Sequence, residues 1–422
     1  MRPYFRERFG NPGALHAFGQ EAIGAVDASR ETIAKAIGAE FGEIIFTGSA
    51  TEANNLVLRG VVKHAIQKIS KGDVVASEVY ARIHPNDPKR YSDWIPKVIV
   101  SAIEHESILE TARDLEKEGV EVVVVPVDEH GVLHPEEVQA ALDERTVLVS
   151  VMYVNNEIGT IQPIQTISEI IRNFREEREE RIASSTDRPS PLTSHYPLFH
   201  TDAVQAFQFL DCDVEKLGVD MMTLSAHKIY GPKGIGALYV RHLAPDTRQL
   251  VGKKNIREAR GHLLDAITTG GGQEFGLRSG TEDVPSSVGF ARAIALAHKH
   301  RTQEMRRVFG LRDYFLGKLK KLYPNLAVNG PLGVSGVLPN IVNVYFLGHR
   351  AEALLVKFDL AGLAASSGSA CRARSLTPSH VLKELGYADE RIRGSIRFSF
   401  GRPTTRREVD KAIQIIKISL RR

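Results

Sequence analysis

Cysteine is nearly missing from this chain: its 422 residues hold two, Cys212 and Cys371. Two thiols cannot build a disulfide framework or a paired C-x-x-C zinc site. Their scarcity fits a reducing cytosol. H-E-x-x-H is absent, and so is the phosphate loop G-x-x-x-x-G-K-[ST]. No apolar run approaches the roughly 20 residues of a membrane span. The first residues, MRPYFRERFG, have no apolar stretch behind them, unlike a secretory signal. Charge of one sign is scarce too: 55 Lys+Arg against 51 Asp+Glu leave +4, which implies no nucleic-acid partner. The expectation is a cytoplasmic protein without a resident metal.

What is present is an alternation. Short β-branched runs read as buried strands at 43–46, 97–102, 120–127, 146–152, 197–202 and 236–240, with another in VDMMTLS (219–225). Helical spacing of apolar residues fills 20–38, 52–69, 135–143 and 164–178. Such alternation predicts an α/β fold with a mainly parallel sheet covered on both faces. Two stretches, 71–96 and 175–197, interrupt it as peripheral insertions. The second opens on REEREER, read as a solvated helix face, and runs into a Ser/Thr/Pro-rich loop. The chain is too long for one simple core. We expect a large domain over 1–297 and a small α+β domain over 298–422.

In parallel sheets, functional groups collect where strands end. After EIIF comes FTGSATEANNL, in which small residues and Thr51 open a helix whose free N–H groups suit an anion. The other strand ends offer His105 in EHES, Asn156 in YVNNEIG, Asp202 and Gln205 in TDAVQ, and Ser225, His227 and Lys228 in SAHKIYGPKGIG. Singly each has a structural explanation. Together they match the needs of a phosphorylated pyridine aldehyde: an amine for a Schiff base, a carboxylate for the ring nitrogen, an aromatic against the ring and an anion cradle.

At this point the chain resembles the cysteine desulfurases, in the class V aminotransferase branch of the fold-type I enzymes that use pyridoxal 5'-phosphate (PLP). FTGSATEANNL, EHES, YVNNEIGTIQPI, TDAVQ, SAHKIYGPKGIGALYV, GGGQEFGLRSGTED, SSGSAC and SIRFSFGR occur in family order from Phe9 onward. The resemblance implies a PLP-dependent transferase fold of type I and the following roles. Lys228 holds the cofactor covalently and moves the substrate α-proton. His105 stacks on the ring and shuttles protons. Asp202 pairs with the ring nitrogen, and Asn156 and Gln205 contact the ring oxygen. Ala50, Thr51, Ser225 and His227 hold the phosphate. Thr281, in RSGT, reaches the phosphate of a neighbouring subunit, so a homodimer is implied. Asn156 and Arg397 bind substrate, the arginine as a two-donor fork for the carboxylate.

The same resemblance makes Cys371 the thiolate that takes sulfur from L-cysteine, leaves L-alanine, and carries a persulfide to an acceptor protein in iron–sulfur cluster assembly or tRNA thiolation. Its Gly/Ser surroundings suit a carrier that swings several ångströms. Arg372 and Arg374 beside it favour the thiolate. Cys212, among apolar neighbours, reads as a buried, inert thiol. Two alternatives stay open: a PLP lyase acting on selenocysteine or another β-substituted amino acid, and a non-catalytic scaffold. The second arises because MRPYFRER stands where the family has a strand and an Ala/Thr/Thr-Pro segment before FGNP (9–12). A pocket short of that wall, or a start placed upstream, is expected.

Overall fold

Most strand runs carry apolar residues toward both faces because both faces of the sheet they form are covered. The computed structural model describes residues 1–70, 95–184, 195–242, 264–331, 336–368 and 378–421. Seven strands form the main sheet: β1 (Ile44–Thr47), β2 (Lys97–Ser101), β3 (Glu121–Val125), β4 (Thr146–Ser150), β5 (Leu198–Asp202), β6 (Met221–Ser225) and β7 (Gly236–Val240). Their order is β1-β7-β6-β5-β4-β2-β3. Six run in one direction. β7 alone runs against them, antiparallel to both β1 and β6.

Alternate side chains enter two separate cores, as a strand's two-residue period requires. Ile44, Phe46, Phe199, Met222 and Tyr239 face one side, where they meet α1 (Ala17–Ala36) and α5 (Val284–Leu322). Ile45, Leu198, Met221, Leu238 and Val240 face the other, against α2 (Ala50–Ser70) and α3 (Glu106–Lys117). A second, antiparallel sheet has the order β10-β9-β8, from β8 (Ala327–Asn329), β9 (Ile341–Tyr345) and β10 (Ser395–Ser399). Val342, Val344, Ile396 and Phe398 of this sheet belong to the first core, where the Phe398 ring packs on Phe315 of α5. The expected division at 297/298 falls within α5, which runs unbroken across it.

One expectation needs correcting. The REEREER run lies on α4 (Ile164–Ser184) but is not uniformly solvated. Arg178 is fully buried, with Nε 3.1 Å from a Glu144 carboxylate oxygen and Nη1 donating to the Tyr196 carbonyl. Arg175, one turn earlier, bonds the Pro197 carbonyl and Asp220. Two of the three arginines therefore staple the helix to the chain entering β5. Residues 71–94, most of the first insertion, and 185–194, the middle of the second, lie outside the described residues. Among the described residues no helix is long and apolar enough to cross a membrane.

Candidate active site

Because β1, β2, β4, β5 and β6 all point the same way, the turns that follow them meet at one edge of the sheet. There they line a cleft of about 170 Å³. Ser49, Ala50 and Thr51 enter after β1, His105 and Ser107 after β2, and Met152 and Asn156 after β4. Asp202, Val204 and Gln205 follow β5, and His227 and Lys228 follow β6. Arg397 reaches in from β10 of the second sheet.

The α2 N-terminus comes close to the sheet because β7 begins with glycine. A Cβ on Gly236 would stand 2.9 Å from the Ala50 nitrogen and 2.7 Å from the Ser49 carbonyl carbon. The helix start thus presents its free N–H groups to the cleft, an anion cradle with the positive end of the helix dipole behind it. Glu52 would oppose an anion there. Its carboxylate is turned aside, accepting from the Gly48 N–H at 2.7 Å and from Arg278 Nε at 2.8 Å. His227 joins the cradle. Its Nδ1 lies 2.9 Å from the hydroxyl of Ser225, which is buried behind it and does not itself line the cleft. Burial first, then the Lys228 and Lys233 ammonium groups, hold His227 below its ordinary range, so it is neutral at pH 7.

Across the cleft Asp202 is only 6 % exposed. The Val204 N–H donates to Oδ1 at 3.0 Å and Asn54 Nδ2 to Oδ2 at 2.9 Å. Asn54 donates its second N–H to the Ser107 hydroxyl at 2.8 Å. His105 is the N-cap of α3: its Nδ1 accepts from the Ser107 N–H at 3.1 Å. With Nδ1 an acceptor, the nearby Ser107 hydroxyl at 2.9 Å donates to it as well. The neutral ring then carries its proton on Nε2. One amide, Asn54, so fixes both the carboxylate and, through Ser107, the imidazole. Neither Asn54 nor Ser107 stood out in the sequence. The available signal was an asparagine among Ala53, Leu56 and Val57 on the buried face of α2.

These groups fit PLP. A lysine, a two-donor-held carboxylate, an imidazole and an anion cradle share one small cleft, the donor set that such a cofactor requires. Thr281 is the exception. It is exposed and does not line this cleft. Its segment is pinned by the buried ion pair of Arg30 with Glu274, two contacts of 2.6 and 2.8 Å. Cys371, with Arg372 and Arg374, lies outside the described residues. Cys212 is buried, and burial pushes its thiol up to about 12.

Beneath His105, Glu104 is fully buried. Its Oε1 accepts from the Ser101 hydroxyl and the Met152 N–H, both at 2.6 Å. Desolvation raises its pKa from 4.5 to about 8, with the Asp202 charge a lesser contributor. The folded state therefore binds an extra proton between those values. The stability that this group contributes is full below about pH 4.5 and is lost as pH climbs to about 8. Glu104→Gln should flatten that slope in urea midpoints taken at pH 5 and pH 8. Parallel profiles for the two proteins would show that no such neutral carboxyl exists.

The comparisons with known proteins agree with this geometry. The family model described as Aminotransferase class-V matches residues 1–87, 95–176 and 193–412. The chain belongs to that family. Among its relatives, cysteine desulfurase IscS of Dictyoglomus turgidum is 37% identical over 417 residues, 99% of this chain and 89% of that one. Cysteine desulfurase IscS of Pectobacterium carotovorum subsp. carotovorum is 39% identical over 415 residues, 98% and 86% of the two chains. A solved NifS-like protein superposes with a TM-score of 0.77 at 32% identity, covering 99% of this chain and 93% of its own. SspA in complex with cysteine gives 0.69 at 30% identity, covering 94% and 93%. Membership in the class V family carries the fold type I architecture and the dependence on PLP that the cleft is built to meet.

Proposed function

We propose that the cleft carries out desulfuration of L-cysteine with the residues assigned above, and that the sulfur leaves on Cys371. The chain is a PLP-dependent cysteine desulfurase, yielding L-alanine and a sulfur atom for an acceptor. The observation that supports this reading best is the meeting of Lys228, Asp202 and the α2 N-terminus in one cleft of a chain with desulfurase relatives along its length.

When bound, PLP supplies an electron sink for the pair released at the substrate α-carbon. The protein does the rest. Ala50, Thr51, His227 and, behind it, Ser225 would hold the phosphate. Asp202, oriented by Asn54 and Val204, would pair with the ring nitrogen. His105 would stack on the ring with Nε2–H available as a donor, and Asn156 and Gln205 would contact the ring oxygen. Arg397 takes the substrate carboxylate; its Nη1 donates to the Asn156 carbonyl at 2.8 Å, which ties substrate and ring recognition together. Lys228 holds the cofactor and moves the α-proton. Cys371 takes the sulfur as its thiolate, so the S–C bond of cysteine breaks as an S–S bond forms, and the carbon fragment keeps the electron pair and is protonated to alanine.

The same reading includes a homodimer in which Thr281 completes the partner subunit's phosphate site, a cytoplasmic location, and an acceptor protein of iron–sulfur cluster assembly or tRNA thiolation. It keeps the organisation into domains 1–297 and 298–422, with α5 as the shared spine. The test is one incubation of purified protein with L-cysteine. Equimolar L-alanine and one extra sulfur on the peptide holding Cys371 are expected. Alanine with free sulfide and an unmodified Cys371 would favour the lyase reading, and no turnover with bound PLP the scaffold reading.

A further inference from the structure

The cradle at the start of α2 carries a charge of the wrong sign. Glu52 follows Thr51 in the first turn of the helix, one residue beyond the groups assigned to the cofactor phosphate. A carboxylate in a first turn favours the helix but opposes an anion held there. Its own N–H donates to the Ser49 hydroxyl at 3.1 Å. Its side chain is held on the side of Gly48. Oε2 accepts from the Gly48 N–H at 2.7 Å, and Oε1 from Arg278 Nε at 2.8 Å. Glycine leaves the room for this, since a Cβ at position 48 would stand 2.7 Å from Glu52 Oε2. Neither Glu52 nor Arg278 lines the cleft.

Arg278 is brought to this place by contacts built on the strand that leads into the cradle. Glu274, four residues earlier, is buried. It accepts from Arg30 at 2.6 and 2.8 Å and from the Phe46 N–H of β1 at 2.8 Å. The Arg30 guanidinium lies 4.9 Å from the Phe46 ring centre and 4.8 Å from that of Phe275. Glu274 and Phe275 take left-handed backbone angles, with φ of +48° and +58°. Residues other than glycine hold such angles where surrounding contacts enforce them. Arg278 itself pairs in parallel with Thr268. β1 ends at Thr47, and the cradle follows at once. One strand thus fixes both the anion cradle and the loop whose arginine meets Glu52. The two side chains of that pair are 26 and 27 % exposed, and an ion pair so placed adds little to overall stability. Beside an anion site it has another use.

We propose that Arg278 is a positioning residue for the cofactor phosphate: it holds and neutralises the Glu52 carboxylate, so that the first turn of α2 meets the phosphate without an opposing charge. This role rests on the placement of the phosphate at Ala50 and Thr51, and the two are tested separately. The measurement is uptake of PLP by the full-length protein after its cofactor has been removed, beside uptake of pyridoxal, the same aldehyde without the phosphate. Arg278→Ala should bind PLP about ten-fold more weakly, the order expected of one uncompensated charge beside an anion, and pyridoxal within about two-fold of the parent value. Glu52→Gln keeps an acceptor for the Gly48 N–H and should bind PLP at least as tightly as the parent. The double variant is decisive. With no carboxylate left to hold, Glu52→Gln combined with Arg278→Ala should return to the parent affinity. A double variant as weak as Arg278→Ala would mean that the arginine acts by its own charge or by supporting the fold, and would overturn the proposal. Equal losses for PLP and pyridoxal in Arg278→Ala, or no loss of either, would overturn it too. Thr51→Asp sets a carboxylate in the cradle itself and should collapse the preference for PLP over pyridoxal. A preference kept at the parent level there puts the phosphate elsewhere and ends both claims. Collapse in Thr51→Asp with unchanged PLP affinity in Arg278→Ala ends the role of Arg278 alone.

Discussion

Lys228→Ala should abolish covalent cofactor attachment and lower desulfuration by at least about 10³-fold, because it removes both the anchoring amine and the group that moves the α-proton. The structure gives this prediction a specific form. Lys228 lies just past β6 on a short 3-10 turn, and its neighbours Ala226 and Ile229 are buried. The turn is thus packed from both sides, and an alanine at 228 leaves the cradle of Ala50, Thr51 and His227 in place. Asp202 also keeps its two donors. The variant should therefore still take up PLP by its phosphate and ring nitrogen, more weakly, with the absorption of a free aldehyde and not that of the attached form. Borohydride followed by peptide mapping should label residue 228 in the parent protein and nothing in the variant. Lys233, whose charge also reaches His227, is the obvious rival. A label on Lys233, or an unchanged absorption band in Lys228→Ala, would remove the basis for the assigned mechanism.

Most of this site was legible because the rule that exposes it is geometric. Strands of a parallel sheet end on one edge, so His105, Asn156, Asp202 and Lys228, each placed at or just after the end of a strand run, had to meet. What the sequence hid are groups that act through another side chain. Asn54 sits at a helix position that spacing assigns to the core, and only the fold shows it reaching Asp202 and Ser107. Glu104 and Glu157 look like ordinary loop acids until burial is known. The antiparallel course of β7 was hidden for a related reason: a five-residue apolar strand reads the same in either direction. Arg178 misled because charge density along REEREER gives no sign of which turn of α4 faces inward. The role of Thr281 came from resemblance alone, and Thr281 does not line the cleft.

Cys371→Ser should lower sulfur release from L-cysteine by on the order of 10³-fold while leaving cofactor binding and alanine α-proton exchange intact, since loss of a covalent nucleophile stops one step of a divided reaction. The chain has only two thiols to choose from. Cys212 is withdrawn from the choice by physics: it is 0 % exposed, and desolvation pushes its pKa up to about 12, so almost none is thiolate at neutral pH. Cys371 sits three residues from Gly368, whose neighbour Ser366 pairs with Arg397, the residue assigned to the substrate carboxylate. A serine there keeps the size of the side chain but cannot accept sulfur as a persulfide. Cys212→Ser is the matched control and should keep activity within about two-fold, apart from a modest loss of stability from placing a hydroxyl in an apolar setting. Retained sulfide release in Cys371→Ser, with alanine formed at the parent rate, would mean that sulfur departs without a covalent carrier, and the chemistry would be that of a lyase on the same fold.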